Sequence, residues 1–136
     1  MDLQSEQLGE TLVIRVNASR VDAAAAIQFK DGMRELTREG PDRCVLDLGQ
    51  VDFVDSSGLG AIVASMKQLN DGQKLDLAAL KPAVDKVFRL TRMDTIFAIY
   101  TDMAASGFAL FGRPARRNEP LREDWRPLLR AIEAEI

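Results

Sequence analysis

The fold is decided by residues 43–69, which read Arg-Cys-Val-Leu-Asp-Leu-Gly-Gln-Val-Asp-Phe-Val-Asp-Ser-Ser-Gly-Leu-Gly-Ala-Ile-Val-Ala-Ser-Met-Lys-Gln-Leu. The apolar run at 45–48 predicts a buried strand. Farther on, apolar residues recur at the spacing of one helix face: Leu59, Ile62, Val63, Met66 and Leu69. The polar tetrapeptide at 55–58, Asp-Ser-Ser-Gly, lies between these two patterns. We therefore predict that it forms the turn between a strand and a helix N-terminus.

Two serines, Ser56 and Ser57, lie on this predicted turn. Serine and aspartate are favoured there because their oxygens accept hydrogen bonds from the unpaired N–H groups of the first helical turn. The same position attracts anions, through those N–H groups and the positive end of the helix dipole. The serines therefore either cap the helix or offer a hydroxyl for a phosphate. Residue physics alone favours capping, because caps far outnumber phosphorylation sites.

Length and composition are typical of a single domain with one core. The chain has 136 residues, of which 46% are hydrophobic. Its formal net charge of −3 argues against nucleic acid as the main partner. We find no apolar run of membrane-spanning length and no basic and apolar leader, so we expect a cytoplasmic protein without membrane insertion.

The residue inventory argues against an enzyme. The sequence has no histidine, which excludes a Ser-His-Asp triad and a His-liganded metal site. The pair Gly58 and Gly60 is too short for a phosphate-binding loop, and no Gly-x-Ser-x-Gly elbow surrounds Ser56. The single cysteine, Cys44, cannot form an internal disulfide and is expected to be a small core residue. Four aspartates lack ligand-like spacing, so we expect no metal or other cofactor: Asp22, Asp47, Asp52 and Asp55.

Periodicity along the chain predicts alternating strands and helices. An opening hairpin at 2–16 precedes a helix that begins in the alanine-rich run after Asp22, its predicted N-cap, and stops at Gly40-Pro41. Strands at 75–80 and 96–100 flank a short third helix. Asp102 is placed to cap a fourth helix with apolar residues Ala104, Ala105, Phe108 and Phe111. This order predicts an α/β domain with a mixed sheet and four packed helices.

The C-terminal region, residues 112–136, is predicted to extend beyond that domain, which spans 1–111. Its first part, with the cluster Arg113, Arg116 and Arg117, has the composition of a solvated linker. An apolar stripe then predicts an amphipathic helix over about 125–135: Trp125, Leu128, Leu129 and Ile132. This helix either packs on its own domain, which we favour, or docks on a partner or a second copy of the chain, giving a homo-oligomer.

Residues 45–60 carry a resemblance to a known family. The stretch Val-Leu-Asp-Leu-Gly-Gln-Val-Asp-Phe-Val-Asp-Ser-Ser-Gly-Leu-Gly resembles the signature of the STAS domain, as found in bacterial anti-sigma factor antagonists. The similarity covers about residues 8–111. In that family the serine directly after the aspartate is phosphorylated, which corresponds to Ser56. Ser57 corresponds to a position that is usually serine or threonine and is not the main acceptor.

The resemblance implies a non-enzymatic partner switch. The unphosphorylated antagonist binds an anti-sigma factor that is also a serine kinase, and this frees a sigma factor. The phosphorylated antagonist binds poorly until a PP2C-type phosphatase restores it. We expect the partner-binding surface to include Arg20, Asp22, Asp55, Ser57 and Gly58.

One stretch departs from the family pattern. Gly-Glu-Leu-Asp commonly precedes the first helix, and here residues 19–22 read Ser-Arg-Val-Asp. Asp22 is kept, but Arg20 places a cation on a loop that lies near the phosphorylated turn in the family's fold. The partner's identity therefore stays open. The alternative is a STAS subunit of a transport or other signalling complex that involves no sigma factor.

Overall fold

The computed structural model describes residues 2–100. Within them the strands are β1 (Leu3–Leu8), β2 (Thr11–Val16), β3 (Arg20–Val21), β4 (Arg43–Asp47), β5 (Phe53–Val54), β6 (Lys74–Ala78) and β7 (Ile99–Tyr100). The α-helices are α1 (Ala26–Thr37), α2 (Ser56–Lys67) and α3 (Pro82–Leu90), and a 3₁₀ turn covers Met93–Thr95. The predicted fourth helix, the linker and the C-terminal helix lie outside the described residues.

A mixed sheet forms the centre of the domain, in the order β1-β2-β4-β6-β7. The hairpin β1–β2 is antiparallel and turns at Gly9, whose φ of 63° suits glycine. The pairs β2–β4, β4–β6 and β6–β7 are parallel. The three helices bury their apolar faces in one core against the sheet, through residues such as Phe29, Met33, Ile62 and Phe88. The predicted α/β class with a mixed sheet is confirmed.

The second face of the sheet carries polar pairs around a small apolar cluster. Val45, Ala78 and Tyr100 pack together there, and each is at most 6% exposed. Arg15 pairs with Asp47 at 3.3 Å, and Arg43 donates to the Tyr100 hydroxyl at 3.0 Å. Among residues 2–100, no helix contributes a side chain to this cluster.

Two short strands were not predicted. β3 and β5 form a separate parallel pair, with Arg20 opposite Phe53 and Val21 opposite Val54. The prediction that Arg20 lies on a loop is therefore wrong, because it belongs to β3. Strands of two residues carry no readable alternation, so their pairing depends on tertiary contact.

The start of the first helix is also corrected. Asp22 was predicted to cap a helix beginning in the alanine run, but α1 begins at Ala26 and its N-cap position is Ala25. Asp22 instead closes a turn, accepting from the Ala25 N–H with its backbone oxygen at 3.0 Å and its Oδ1 at 3.3 Å. Aspartate side chains commonly stabilise such turns in place of a helix.

The last two strands are shorter than predicted. β6 ends at Ala78 because Ala79 adopts a left-handed φ of 62°, which breaks the extended backbone. β7 contains only Ile99 and Tyr100, while Ile96 and Phe97 are buried in the segment that follows the 3₁₀ turn. Within residues 2–100, none of the helices has both the length and the apolar character that crossing a bilayer requires.

Candidate functional site

The turn before α2 is closed by Asp55. Its Oδ1 accepts from the Gly58 N–H at 2.8 Å, which makes Asp55 the N-cap of α2. The prediction that Ser56 and Ser57 cap this helix, which the residue types alone favoured, is therefore wrong. Ser56 and Ser57 are its first two residues. The predicted strand–turn–helix arrangement of this tetrapeptide is confirmed.

Gly58 lets α2 pack directly on the backbone of β3. A Cβ at this position would lie 1.9 Å from the carbonyl oxygen of Val21 and 2.6 Å from its carbonyl carbon. These are backbone atoms of a paired strand and cannot move aside as a flexible side chain would. The glycine therefore fixes the distance between the start of α2 and the segment that holds Arg20 and Asp22.

Ser56 presents its side chain to solvent, whereas Ser57 is half-buried. The Ser56 hydroxyl makes no hydrogen bond within residues 2–100. Because it also lies at the N-terminus of a helix, a phosphate attached to it would face the positive end of the helix dipole. The hydroxyl is accessible, and the fold can accept charge on it.

Hydrogen bonds join the segment after β3 to the turn. The Asp55 Oδ2 accepts from the Ala23 N–H at 3.3 Å, and the Asp55 N–H donates to the Val21 carbonyl at 3.3 Å. One aspartate thus holds both the start of α2 and the approach to α1. All six predicted site residues meet at this end of the molecule: Arg20, Asp22, Asp55, Ser56, Ser57 and Gly58.

Arg20 is held in place by two neighbours. Its Nε lies 3.3 Å from the Asp22 Oδ2, and its guanidinium carbon lies 4.3 Å from the centre of the Phe53 ring. The exposed fractions are 59% for the Arg20 side chain and 41% for Phe53. Such stacking pre-orients a guanidinium for an anionic acceptor.

Phe53 was missed as a site residue by sequence reasoning. Its only signal was an aromatic residue three positions before Ser56. The stacking partner, Arg20, is brought beside it by the pairing of β3 with β5.

The four aspartates considered as metal ligands have separate partners. Asp47 pairs with Arg15 and accepts from the Gly49 N–H at 2.8 Å, while the Asp52 Oδ1 lies 2.6 Å from the Lys81 Nζ. Asp22 and Asp55 make the contacts described above. Across residues 2–100, no group of three carboxylate or thiol side chains is placed to hold a metal ion.

Cys44 lies in the core with 0% exposure, which confirms the sequence prediction. Burial raises the pKa of its thiol to about 11, and the nearby carboxylates of Asp76 and Asp42 add to this shift. A thiol with so high a pKa is a poor nucleophile at neutral pH.

Similarity to known proteins identifies the family of this chain. The STAS domain family model matches residues 2–106. BtrV of Bordetella bronchiseptica, named as an anti-sigma factor antagonist, is 34% identical over 99 residues, which cover 72% of this chain and 78% of BtrV. The chain belongs to the STAS domain family.

Solved structures of STAS proteins share the fold. An anti-sigma factor antagonist from Mycobacterium paratuberculosis superposes with a TM-score of 0.71 at 23% identity, covering 79% of this chain and 92% of the other. The phosphorylated form of the Bacillus cell fate determinant SpoIIAA gives a TM-score of 0.58 at 22% identity, with 79% and 99% covered. At these identities the likeness concerns the fold. The relation to BtrV connects this STAS protein with the anti-sigma factor antagonists.

Proposed function

We propose that this STAS protein is a phosphorylation-switched anti-sigma factor antagonist of the cytoplasm. With Ser56 unphosphorylated, it binds an anti-sigma factor serine kinase and frees a sigma factor. Phosphate on Ser56 weakens that complex, and a PP2C-type phosphatase reverses the modification. The observation that carries the proposal is the exposed Ser56 hydroxyl at the start of α2, on a turn fixed by Asp55 and Gly58.

The surroundings of Ser56 support an acceptor role. The chain contains no histidine to activate the hydroxyl, so the catalytic base, ATP and magnesium come from the kinase. The product stays compatible with the fold, because a phosphate on an exposed residue at a helix N-terminus is favoured by the dipole.

The same phosphate opposes the complex. It adds roughly 1.5 to 2 negative charges beside Asp55, and these must be desolvated when a partner covers the turn. A coupling of about 1–3 kcal/mol weakens binding roughly 5- to 150-fold. The partner surface that we propose comprises Arg20, Asp22, Asp55 and Ser57. Gly58, which was also expected there, is buried against Val21 and contributes by fixing the position of α2 beneath that surface.

Phosphorylation with the cognate kinase tests the assignment. Incubation with the kinase and ATP should add one phosphate, located on Ser56 by mass spectrometry. Ser56→Ala should abolish the modification and bind constitutively, and Ser56→Asp should bind poorly. Ser57→Ala is the matched control and should still accept one phosphate. Phosphate on Ser57 in the wild-type protein would refute the residue assignment.

A STAS subunit of a transport or other signalling complex is the alternative. It uses the same fold and differs in its partners. Affinity purification of the full chain followed by mass spectrometry separates the two. Recovery of an anti-sigma factor kinase supports the proposed function, and recovery of transporter components without one favours the alternative.

A further inference from the structure

The second face of the central sheet is withdrawn from water. Its apolar residues run across four strands, with Val13 beside Val45 in the register of β2 and β4, and Ala78 beside Tyr100 in that of β6 and β7. Val13 is 3% exposed, and the other three are at most 6% exposed. The helices α1, α2 and α3 bury their apolar residues on the opposite face. No helix among residues 2–100 packs on the second face, so its burial requires a cover from outside those residues.

A charged pair on this face shows the same withdrawal. The Arg43 Nε lies 3.5 Å from the Asp76 Oδ2, and the Arg43 side chain is 22% exposed. Arginines that are paired on helix surfaces, Arg38 and Arg89, are 62% and 57% exposed. Charged side chains on an uncovered surface keep most of their area in water. The cover therefore extends from the apolar residues over this pair.

A depression on the same face lies over β1 and β2. Its volume is about 420 Å³, and it is lined by Gln4, Ser5, Glu6, Val13 and Arg15. The register places Glu6 beside Val13 and Gln4 beside Arg15, and both β1 residues are exposed. The lining thus combines an apolar floor, a guanidinium and oxygen acceptors. An indole matches this combination, because its ring packs on apolar groups and under cations while its N–H needs an acceptor.

We propose that residues 113–136 of this chain cover the second face of the sheet, with Trp125 in the depression. Trp125 is the only tryptophan, and it shares its apolar stripe with Leu128, Leu129 and Ile132. Phe108 and Phe111, which also follow β7, have no donor for the acceptors of the depression. The stripe gains a surface to pack on, and the sheet gains its second layer. This inference does not depend on the proposed function.

The chain is long enough to make this contact. β7 ends at Tyr100, whose side chain belongs to the covered cluster, so the following residues start at one edge of this face. The depression lies at the other edge, roughly 20 Å away across five strands at a spacing of about 4.8 Å. Residues 112–124 alone span up to roughly 40 Å when extended.

Photocrosslinking within the purified full-length protein tests the contact. A benzophenone amino acid replaces Trp125, and the expected adduct is intramolecular and maps by mass spectrometry to Gln4, Val13 or Arg15. The matched control places the probe at Ala134, nine residues later and half a turn around a helix, where this adduct should not form. An adduct on α1, α2 or α3, a crosslinked dimer, no adduct, or equal adducts from both positions would overturn the inference.

The reactivity of Tyr100 measures the cover directly, since it is the only tyrosine. Trp125→Asp combined with Leu129→Asp in the full chain should raise the rate of Tyr100 nitration by tetranitromethane several-fold. Ala131→Asp combined with Ala134→Asp, on the side away from the stripe, should leave the rate unchanged. A nitration rate that is the same in the stripe variant and the wild-type protein would contradict the cover.

Cys44 serves as the internal control for folding. It is the only cysteine and lies on the opposite face of β4, in the core beneath the helices. It should stay unreactive toward a thiol reagent in both double variants while Tyr100 becomes reactive in one. If Cys44 also reacts, the variant has lost its fold, and the crosslink from position 125 decides between the outcomes.

Discussion

Arg20 combines two roles at the scale of a single residue. Its stacking on Phe53 and its pairing with Asp22 hold a cation beside the turn at residues 55–58. A guanidinium held in this way is ready to meet an anion, either a partner carboxylate or a phosphate. The ion pair between Arg20 and Asp22 contributes only a small free energy in solution, because more than half of the Arg20 side chain is exposed.

Substitution of Arg20 should therefore change the contrast between the two switch states. Arg20→Glu removes the cation that offsets part of the phosphate charge, so the ratio of dissociation constants for phosphorylated and unphosphorylated protein should rise, by about 2- to 5-fold. Isothermal titration with both forms measures that ratio. Arg89→Glu on α3 is a control far from the turn in sequence. An unchanged ratio would remove Arg20 from the switch.

Cys44 should make the protein sensitive to alkaline pH. Its thiol has a folded-state pKa of about 11 against an ordinary value of 9.0. Below pH 9 the thiol is protonated in both states, so its contribution to stability is constant. Between about pH 9 and 11 only the unfolded thiol ionises, and stability falls by up to about 3 kcal/mol. Denaturant titrations should show a smaller fall in the free energy of unfolding for Cys44→Ala, and an equal fall in both proteins would contradict this.

At the scale of elements, the contact between α2 and β3 depends on Gly58. Gly58→Ala places a methyl group on the Val21 carbonyl, and we expect the free energy of unfolding to drop by about 3 kcal/mol. Gly32→Ala is the matched control, since its Cβ would meet only the movable Leu3 side chain, at 2.7 Å. It should change stability by less than about 1 kcal/mol. Chemical denaturation measures both, and equal effects would show that the close approach is not rigid.

Elements with a long pattern were predictable and short ones were not. The apolar face that begins at Leu59 predicted α2, and the tetrapeptide before it predicted the turn. Alanine propensity placed the start of α1 too early, because the turn at Asp22 and the hydrogen bond from Ala23 to Asp55 override it. The stack of Arg20 on Phe53 was unpredictable, since it requires strands from two distant segments to pair.

At the scale of the whole molecule, the prediction concerns the C-terminal region. Residues 113–136 contain the only tryptophan, Trp125, within an apolar stripe. An apolar stripe without a partner surface promotes aggregation, so we expect it to pack on its own domain. Deletion of 113–136 should then lower the melting temperature or the solubility, and Trp125→Ala in the full chain should reproduce part of that loss.

Three outcomes of the deletion separate the alternatives. A less stable or less soluble domain supports packing on the same chain. A stable domain that no longer self-associates, or no longer binds its partner, supports docking. A truncated protein that matches the full chain in melting temperature, oligomeric state by light scattering and partner affinity would show that the region is dispensable.

The pairing of β3 with β5 has a consequence for when the protein can signal. The peptide that contains Ser56 is complete once the ribosome has made it, but Arg20 and Asp22 reach it only after two segments about thirty residues apart have joined. A partner protein that must contact both segments therefore does not bind nascent or unfolded chains. Incomplete synthesis or proteolysis of the chain would therefore not produce the partner-binding surface, because that surface exists only in the folded domain.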